Sequence, residues 1–485
     1  MPCTTILVGK KASYDGSTII ARNDDSPSGI FMPKKMVVVT PDKQPKHYES
    51  KLSHFSLDLP DNPLRYTCTP NVPDSEGIWA ASGVNSLNVA MTATETISSN
   101  PRVLGADPLV ETHVEGSKTI PGGIGEEDIV TLVLPYIHSA REGVIRLGKL
   151  LSELGTYETN GIAFSDESEI WWLETIGGHH WIAKKVPDDC YVAMPNAFGL
   201  DRFDLKDAYG EQKENMCSPD LASFAEDNHL NLSLNDEFNP REIFGSHTDS
   251  DHIYNTPRAW YIERYLSGEH LSFNGPEAKI RPDSDNIPWC AKPDRKVTIE
   301  DVKYLLSSHY QGTPFDPYGK NHEPHWKAPF RPIGISRTDD LSLIQIRPYV
   351  KGDSKVVTWL GFGSNMYNEL LPIYPNVSKI PGYLSETSET PDTNYFYWAI
   401  RFIGALIDPS FGTSYIHVER YQEAVASKGH EIINSYDIKT DSEVNREASN
   451  EKVVEMAKKE TSKLLDKALY EASCRMKNGF SRSDH

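Results

Sequence analysis

The sequence contains little that would mark a secreted or disulfide-stabilised protein. Its 485 residues include 6 cysteines, which are widely scattered and form no C-x-x-C pair. This distribution is typical of free thiols in a reducing compartment, and it argues against a disulfide framework or a zinc ribbon. We therefore expect a cytoplasmic protein.

Membrane-directed segments are also missing. The first residues, MPCTTILVGKK, have neither the basic region nor the sustained apolar region of a signal peptide. The apolar run YWAIRFIGALI is interrupted by Arg401 and falls short of the roughly 18 residues of a membrane span. Basic residues are outnumbered, with 49 Lys and Arg against 69 Asp and Glu. The net charge of −20 repels phosphates, so we expect neither membranes nor nucleic acids as partners.

The patterns that are present predict an α+β protein with layered antiparallel sheets. Short strand-like segments cluster before residue 200 with turn residues between them, as antiparallel strands require. Apolar spacings of three and four predict helical stretches over 127–155, in pieces over 201–245, and over 256–268, 298–310 and 443–476. We expect a single domain over 3–485, with insertions at about 201–330 and a docked C-terminal helix over 443–476.

The first 25 residues predict a β-hairpin. The strand-like runs CTTILVGKK and TIIARNDD flank SYDGS, in which Asp15-Gly16 is a turn signal. With the turn centred near Tyr14 and Asp15, Cys3 is expected to lie level with about residues 25–28.

The far end of this hairpin carries residues that suit nucleophilic catalysis. Strand alternation puts Arg22 and Asp24 on one face. Asn23 and Asp25 fall on the other face, and Asp24 is expected to be a solvent-side neighbour of Asp25. A nearby cation lowers a thiol pKa, and the α-amino group of a chain that begins at Cys3 can act as its base. The residue types alone favour a structural cysteine beside a solvated turn over this catalytic arrangement.

Several long segments carry a family resemblance, namely CTTILVGKKASYDGSTIIARNDD, TLVLPYIHSAREGVIRLGKLL, EIWWLETIGGHHWIAKKVPDDCYVAMPN, RPIGISRT and the FSRSD tail. They resemble the bacterial dipeptidase A-type cysteine peptidases, which are N-terminal nucleophile (Ntn) hydrolases. Secernins are eukaryotic relatives, and choloylglycine hydrolases and penicillin V acylases are more distant ones. The resemblance implies an αββα sandwich of two antiparallel sheets between helical layers. It also implies hydrolysis of dipeptides of broad specificity, with no metal or other cofactor.

The resemblance implies roles for the hairpin residues. Cys3 matches the nucleophile, which forms a thioester acyl-enzyme, and its freed α-amino group matches the base. Arg22 and Asp25 match the R-N-x-D motif of the wider superfamily. Arg22 is therefore expected beside the sulfur, and Asp25 is expected to hold the amine.

Three further residues match positions outside the hairpin. Asn196, in YVAMPNAF, matches the asparagine whose side-chain amide helps to form the oxyanion hole. Arg258, in NTPRAWY, matches a second arginine at a helix start near the site. Glu95, in VAMTATE, aligns with the second oxyanion position through its backbone N–H. Its carboxylate is also a candidate to receive the free ammonium of a dipeptide.

Residues 1–2 depart from the simple scheme in which removal of Met1 exposes the nucleophile. Proline at position 2 permits that removal, but Pro2 then still covers the amine of Cys3. We therefore expect residues 1–2 to be a leader that self-processing or another peptidase removes.

Three other functions stay open at this point. They are an Ntn amidase acting on N-acyl amides such as penicillin V or conjugated bile salts, a non-catalytic secernin-like protein, and a metallopeptidase. His179 and His180 are adjacent in a strand-like run, so they should point to opposite faces and not share a metal. His322 and His325 have ligand-like spacing, but Pro324 disfavours the helix they would need. We therefore expect no metal site.

Two further segments bear on the site and on assembly. The segment GGIGEED over 122–128 lacks the lysine and the following helix of a phosphate-binding loop and predicts a loop bordering the site. The apolar stripe of the C-terminal helix is broader than a heptad seam, which favours docking on its own domain over dimerisation. Homo-oligomerisation through another surface stays open, and small peptides are the expected partners.

Overall fold

The computed structural model describes residues 3–93, 95–113, 119–235, 237–268, 271, 279–320 and 327–477. The strands are β1 (Thr4–Val8), β2 (Thr18–Asp25), β3 (Val37–Val39), β4 (His47–Glu49), β5 (Ser56–Asp58), β6 (Tyr66–Cys68), β7 (Ser82–Asn85), β8 (Ala90–Thr92), β9 (Glu95–Thr96), β10 (Glu111–His113), β11 (Thr119–Pro121), β12 (Asn160–Ser165), β13 (Ile170–Ile176), β14 (His180–Lys185), β15 (Tyr191–Met194), β16 (Asn215–Cys217), β17 (Cys290–Ala291), β18 (Thr338–Ile346), β19 (Val356–Phe362) and β20 (Leu371–Ile373). The helices are α1 (Pro101–Ala106), α2 (Glu126–Val133), α3 (Ala140–Leu154), α4 (Leu205–Ala208), α5 (Leu221–Asp227), α6 (Pro240–Phe244), α7 (Asp251–Tyr254), α8 (Thr256–Ser267), α9 (Ile299–Leu306), α10 (Gly382–Ser385), α11 (Phe396–Ile407), α12 (Phe411–Asp437) and α13 (Glu443–Cys474).

Two large sheets organise the molecule. The first has seven strands in the order β17-β15-β1-β2-β18-β19-β20. The second has nine strands in the order β16-β14-β13-β12-β8-β7-β6-β3, with β9 also paired to β12. Every strand pairing in both sheets is antiparallel. The predicted α+β class with antiparallel sheets is therefore confirmed.

The first sheet is buried on both faces, and neighbouring residues of β1 show how. Ile6 belongs to a hydrophobic cluster with Ile262 of α8 and Val302 of α9. The next residue, Leu7, points the other way and belongs to a cluster that includes Trp172 of the second sheet. Because both faces are covered, strand β1 is apolar or buried at every position.

The second sheet is covered in the same manner. Ala163 of β12 belongs to the cluster that the two sheets share. Phe164, its neighbour, belongs to a cluster with Leu132 of α2 and Leu147 of α3. One apolar layer thus lies between the sheets, and helices cover an outer face of each sheet.

Several predicted helices are confirmed with their end signals. Helix α9 begins after Thr298, whose hydroxyl accepts a hydrogen bond from the backbone N–H of Asp301 at 3.1 Å. Helix α3 ends at Gly155, which has a φ of 68° that glycine adopts without strain. The helical pieces of 201–245 are α4, α5 and α6.

The C-terminal part is an assembly of helices that the sequence analysis predicted only in part. Helix α13 confirms the predicted long helix, but α11 and α12 were not predicted. Val453 and Leu464 of α13 share a hydrophobic cluster with Ile403 of α11 and Val425 of α12. Helix α13 therefore packs on its own chain. Within the described ranges, no helix combines the length and apolar character needed to cross a membrane.

Candidate functional site

The predicted hairpin is present, with a small correction to its register. Strand β1 pairs antiparallel with β2, and Thr4 lies opposite Asn23. The centre of the turn is therefore one residue earlier than expected. Consequently Cys3 lies beside Asp24, and not level with residues 25–28 as predicted. The difference matters because it decides which carboxylate reaches the sulfur.

Cys3 is fully buried and is held by polar neighbours from β2. Arg22 Nη2 lies 3.0 Å from Cys3 Sγ and donates to it. The thiol lies 3.8 Å from Asp24 Oδ1, which it faces as a donor. Arg22 and Asp24 therefore share the face that strand alternation predicts, and Arg22 lies beside the sulfur as expected.

Asp24 is a buried member of the site, so its predicted solvent-side position is wrong. Its side chain is almost inaccessible, since β18 and the segment after β2 cover it. Lys34 Nζ lies 2.5 Å from Asp24 Oδ2, and Arg22 Nη2 lies 3.3 Å from Asp24 Oδ1. Against the opposing effect of burial, Lys34 and Arg22 hold the pKa of Asp24 below its ordinary value. The charged form of Asp24 is thus favoured beside the thiol.

The thiol itself is not activated by this surrounding. Burial raises the pKa of Cys3 well above its ordinary value, and the attraction of Arg22 only partly opposes that rise. Neither polar contact of the sulfur is a useful base at neutral pH, because Arg22 is always protonated and Asp24 has a depressed pKa. A further group must therefore accept the thiol proton if Cys3 is a nucleophile.

Asp25 points away from the sulfur, as alternation predicts. Its Oδ2 accepts from Arg331 Nη2 at 2.5 Å, and its Oδ1 accepts from Thr338 Oγ1 at 2.5 Å. Burial raises its pKa, with Arg331 opposing the rise. The expected contact with a freed Cys3 amine stays a prediction, since residues 1–2 lie outside the described part of the chain.

Arg258 links the nucleophile to the predicted oxyanion residue. Its Nη1 donates to the backbone carbonyl of Cys3 and, at 2.7 Å, to Thr4 Oγ1. Its Nη2 donates to Asn196 Oδ1 at 2.7 Å. Asn196 Nδ2 in turn donates to the carbonyl of Thr96 at 2.9 Å. Because Arg258 binds the amide oxygen, the amide N–H groups of Asn196 are turned to the opposite side.

Glu95 lies in the same buried region, on β9. Thr5 Oγ1 donates to Glu95 Oε2 at 2.8 Å, while Oε1 is buried with no hydrogen-bond partner among the described residues. Burial raises the pKa of Glu95 to about 8, although Arg258 and Arg22 oppose the rise. The predicted residues Cys3, Arg22, Asn196, Arg258 and Glu95 are thus brought together around the end of the hairpin.

Glu126 also reaches the site and was missed by the sequence analysis. The predicted loop over 122–128 is wrong at its C-terminal end, because α2 begins at Glu126. Glu126 Oε1 accepts from Arg22 Nη2 at 3.0 Å. Its backbone N–H donates to Glu158 Oε1 at 2.7 Å, and burial together with Glu126 raises the pKa of Glu158 to about 7. Consecutive acids before an apolar helical pattern were the available signal for this helix start.

The histidine pair at 179–180 is a hydrogen-bonded turn, and the predicted opposite facing is wrong. Gly177 adopts a φ of 54°, and His180 begins β14 only after this turn. The Nδ1 atoms of His179 and His180 lie 2.9 Å and 2.7 Å from the two carboxylate oxygens of Asp107. Across the described ranges, no group of three or more His, Cys, Asp or Glu residues is arranged to hold a metal ion. His322 and His325 lie outside those ranges.

Comparisons with known proteins show the family of this chain. The model of peptidase family C69 matches residues 2–424. A protein named dipeptidase from Bifidobacterium longum is 51% identical to this chain over 532 residues, covering 100% of both chains. A protein named probable dipeptidase A from Streptococcus pyogenes serotype M1 is 50% identical and covers 99% of this chain and 98% of its own. A protein named probable dipeptidase B from Lactococcus lactis is 43% identical over the same shares. The chain therefore belongs to peptidase family C69.

Proposed function

We propose that this chain is a cysteine dipeptidase of the Ntn type, in which Cys3 is the nucleophile once residues 1–2 have been removed. The observation that carries the proposal is the 3.0 Å contact between Arg22 Nη2 and the buried sulfur of Cys3, at the end of a hairpin that begins the described chain. Membership of a peptidase family and relatives named as dipeptidases support the substrate class. Two antiparallel sheets with a shared core and helices on their outer faces support an αββα sandwich.

The base in this mechanism is the α-amino group that cleavage after Pro2 exposes. A free α-amino group has a pKa near 8, so it can accept a proton at neutral pH, unlike Arg22 or Asp24. It takes the proton of the Cys3 thiol as the sulfur attacks the peptide carbonyl, and later gives that proton to the leaving amine. Asp25, which follows Asp24 on β2, orients this amine.

Arg22 and Asn196 act on the charges that develop during the attack. The guanidinium of Arg22 stabilises the thiolate, while the amide of Asn196 and the backbone N–H of Glu95 stabilise the oxyanion. Collapse of the tetrahedral intermediate breaks the C–N bond and leaves a thioester on Cys3. Water, deprotonated by the same amine, then hydrolyses the thioester and frees the sulfur.

Arg258 is a positioning residue in this scheme. It binds the Cys3 carbonyl and the Asn196 amide oxygen at once, so it fixes the nucleophile relative to the oxyanion donor. Burial and the nearby Arg331 lower the pKa of Arg258 to about 9, which still leaves it protonated at neutral pH.

The buried carboxyl group of Glu95 favours a dipeptide over an N-acyl amide as the substrate. Glu95 has one buried carboxylate oxygen without a partner in the described structure, which suits the free ammonium of a dipeptide. The acyl group of penicillin V or of a bile salt offers no cation to such a carboxylate. We therefore rank an amidase of that kind second, and a turnover assay with a dipeptide and with penicillin V separates the two.

The direct test combines intact mass with substitution of the nucleophile. We expect active protein to begin at Cys3, and Cys3→Ala to reduce dipeptide hydrolysis to background. Cys217→Ser is the matched control, since Cys217 is also a buried free cysteine but belongs to the core between the sheets. Full activity in protein that still carries Pro2 would overturn the processing step. Retention of activity in Cys3→Ala would overturn the assignment of Cys3 as the nucleophile.

The free state of the six cysteines supports a reducing compartment such as the cytoplasm.

A further inference from the structure

A pocket of about 340 Å³ lies between α11 and the segment that follows β2. Its walls are largely aromatic or apolar, and the side chains that form them are Phe31, Tyr367, Pro391, Trp398, Phe402 and Pro409. None of the residues assigned above to the catalytic cluster lines it. Its size falls within the range of pockets that hold small organic molecules.

Arg401 brings an unusual polar group into this apolar pocket. Its guanidinium carbon lies 3.6 Å from the centre of the Phe31 ring, and its Nη1 donates to the carbonyl of Ser336. Its Nη2 is buried and has no hydrogen-bond partner among the described residues. A guanidinium N–H without an acceptor is unfavourable, and Arg401, which is partly exposed and lines the pocket, can turn this N–H toward an acceptor from outside the chain. A carboxylate is the acceptor that best matches a guanidinium.

Asp408 limits what such a ligand can be. It lines the same pocket, seven residues and therefore about 10 Å along the helical direction from Arg401. Its Oδ1 accepts from the hydroxyls of Tyr318 and Tyr367 at 2.6 Å and 2.9 Å. A second anionic group on the ligand would be repelled by this carboxylate. An aromatic group would instead contact the aromatic side chains that lie between Arg401 and Asp408. The pocket therefore favours a single carboxylate attached to an aromatic group.

We propose that this pocket binds a small aromatic monocarboxylate, with the carboxylate on Arg401 and the ring against Trp398 and Phe402. The site is separate from the catalytic cluster and does not depend on the proposed hydrolysis. It also gives a reason for Arg401, the one charged residue in the run YWAIRFIGALI, to interrupt an otherwise apolar segment.

Isothermal titration calorimetry with 3-phenylpropionate tests the proposal, with 3-phenylpropanamide as the neutral probe of the same shape. We expect one saturable site for the acid with a dissociation constant of roughly 1 mM or below, as befits so small a ligand. The amide is expected to bind at least about tenfold more weakly, because it lacks the charge that pairs with Arg401.

Two substitutions locate the site. Arg401→Gln removes the guanidinium, and Ala405→Phe fills the pocket from an exposed position while leaving Arg401 in place. Each is expected to weaken binding of the acid by at least about tenfold. Arg102→Gln, at an exposed arginine of α1, is the matched control and is expected to bind normally. Circular dichroism and the melting temperature confirm that each variant is folded.

Saturable binding of the acid that both pocket substitutions weaken and the control preserves would support the proposal. Three results would overturn it: no saturable binding to the unaltered protein, equal affinity for acid and amide, or affinity that survives both Arg401→Gln and Ala405→Phe.

Discussion

Replacement of Glu95 by glutamine tests how the free amino end of a dipeptide is held. The glutamine keeps the size of the side chain and an oxygen for the hydroxyl of Thr5, which now binds Glu95 Oε2 at 2.8 Å. It removes the charge that the unpartnered Oε1 would offer to an ammonium. The substitution therefore isolates one interaction without opening a cavity.

The size of the effect depends on pH, because burial raises the pKa of Glu95 to about 8. A hydrogen bond between charged groups contributes roughly 1.5–3 kcal/mol. Ionising Glu95 to form that bond costs about 1.4 kcal/mol for each pH unit below its pKa. At pH 6 the ionisation cost of about 2.7 kcal/mol cancels the free energy gained from the hydrogen bond. At pH 7.5 the cost is smaller, and a net binding free energy of about 1.5 kcal/mol remains. We therefore expect Glu95→Gln to leave KM nearly unchanged at pH 6 and to raise it about tenfold at pH 7.5.

Initial rates of dipeptide hydrolysis at the two pH values give the ratio of the KM of Glu95→Gln to the KM of the unaltered protein. The same dipeptide with an acetylated amino end is the substrate control and should not distinguish the two enzymes. Glu369→Gln is the protein control, because burial also raises the pKa of Glu369 but this residue lies between β19 and β20. A KM ratio near one at pH 7.5, or an equal effect on the acetylated substrate, would refute the assignment of Glu95 to the ammonium.

Three further outcomes follow from the same structure. Iodoacetamide should label the exposed Cys474 in every form of the protein, and the buried Cys3 only after residues 1–2 are removed. Lys34→Met should lower the free energy of unfolding by about 3 kcal/mol, because it leaves the buried Asp24 without the cation that now lies 2.5 Å away, and Lys34→Arg should restore part of the loss. Burial raises the pKa of Glu174 to about 7, so its ionisation destabilises the folded state as pH rises from about 4.5 to 7. Relative to the wild type, Glu174→Gln should therefore gain up to about 3 kcal/mol of stability between pH 5 and 8.

Mass spectrometry checks the first outcome, and urea unfolding checks the other two. Labelling of Cys3 in protein that retains Pro2 would contradict the buried thiol. An unchanged free energy of unfolding in Lys34→Met would show that Asp24 does not need its partner. A stability difference for Glu174→Gln that stays constant with pH would mean that Glu174 titrates normally in the folded protein.

The hairpin and most helix ends were predictable because their causes are local. Asp15-Gly16 supplies a turn signal, and Thr298 supplies a cap, each within a few residues of the element that it shapes. The alternation of β2 also placed Arg22 and Asp24 on one face correctly. What local patterns could not supply was the register to within one residue, and this shift brought Asp24 to the sulfur.

Residues that enter the site from other elements could not be predicted from local patterns. Lys34 lies in the segment after β2, and Glu126 begins a helix more than a hundred residues from Cys3 in sequence. Nothing in their own neighbourhoods distinguishes them from exposed charges, since each is buried only where its segment packs beside Asp24 or Arg22. The prediction that His179 and His180 face opposite sides was wrong for a related reason. The turn at Gly177 changes the direction of His179 before the strand begins.

The hold of Arg258 on the Cys3 carbonyl has a consequence for a chain that is cut two residues into its sequence. A new chain end normally frays, because it has lost the neighbours that anchored it. Here Arg258 binds the carbonyl of Cys3 and the side chain of Thr4, and β15 pairs with the strand that follows. All of these contacts come from outside the hairpin. A shortened chain would therefore begin with a residue whose carbonyl is already bound by Arg258, so removal of residues 1–2 leaves the anchors of the new chain end in place.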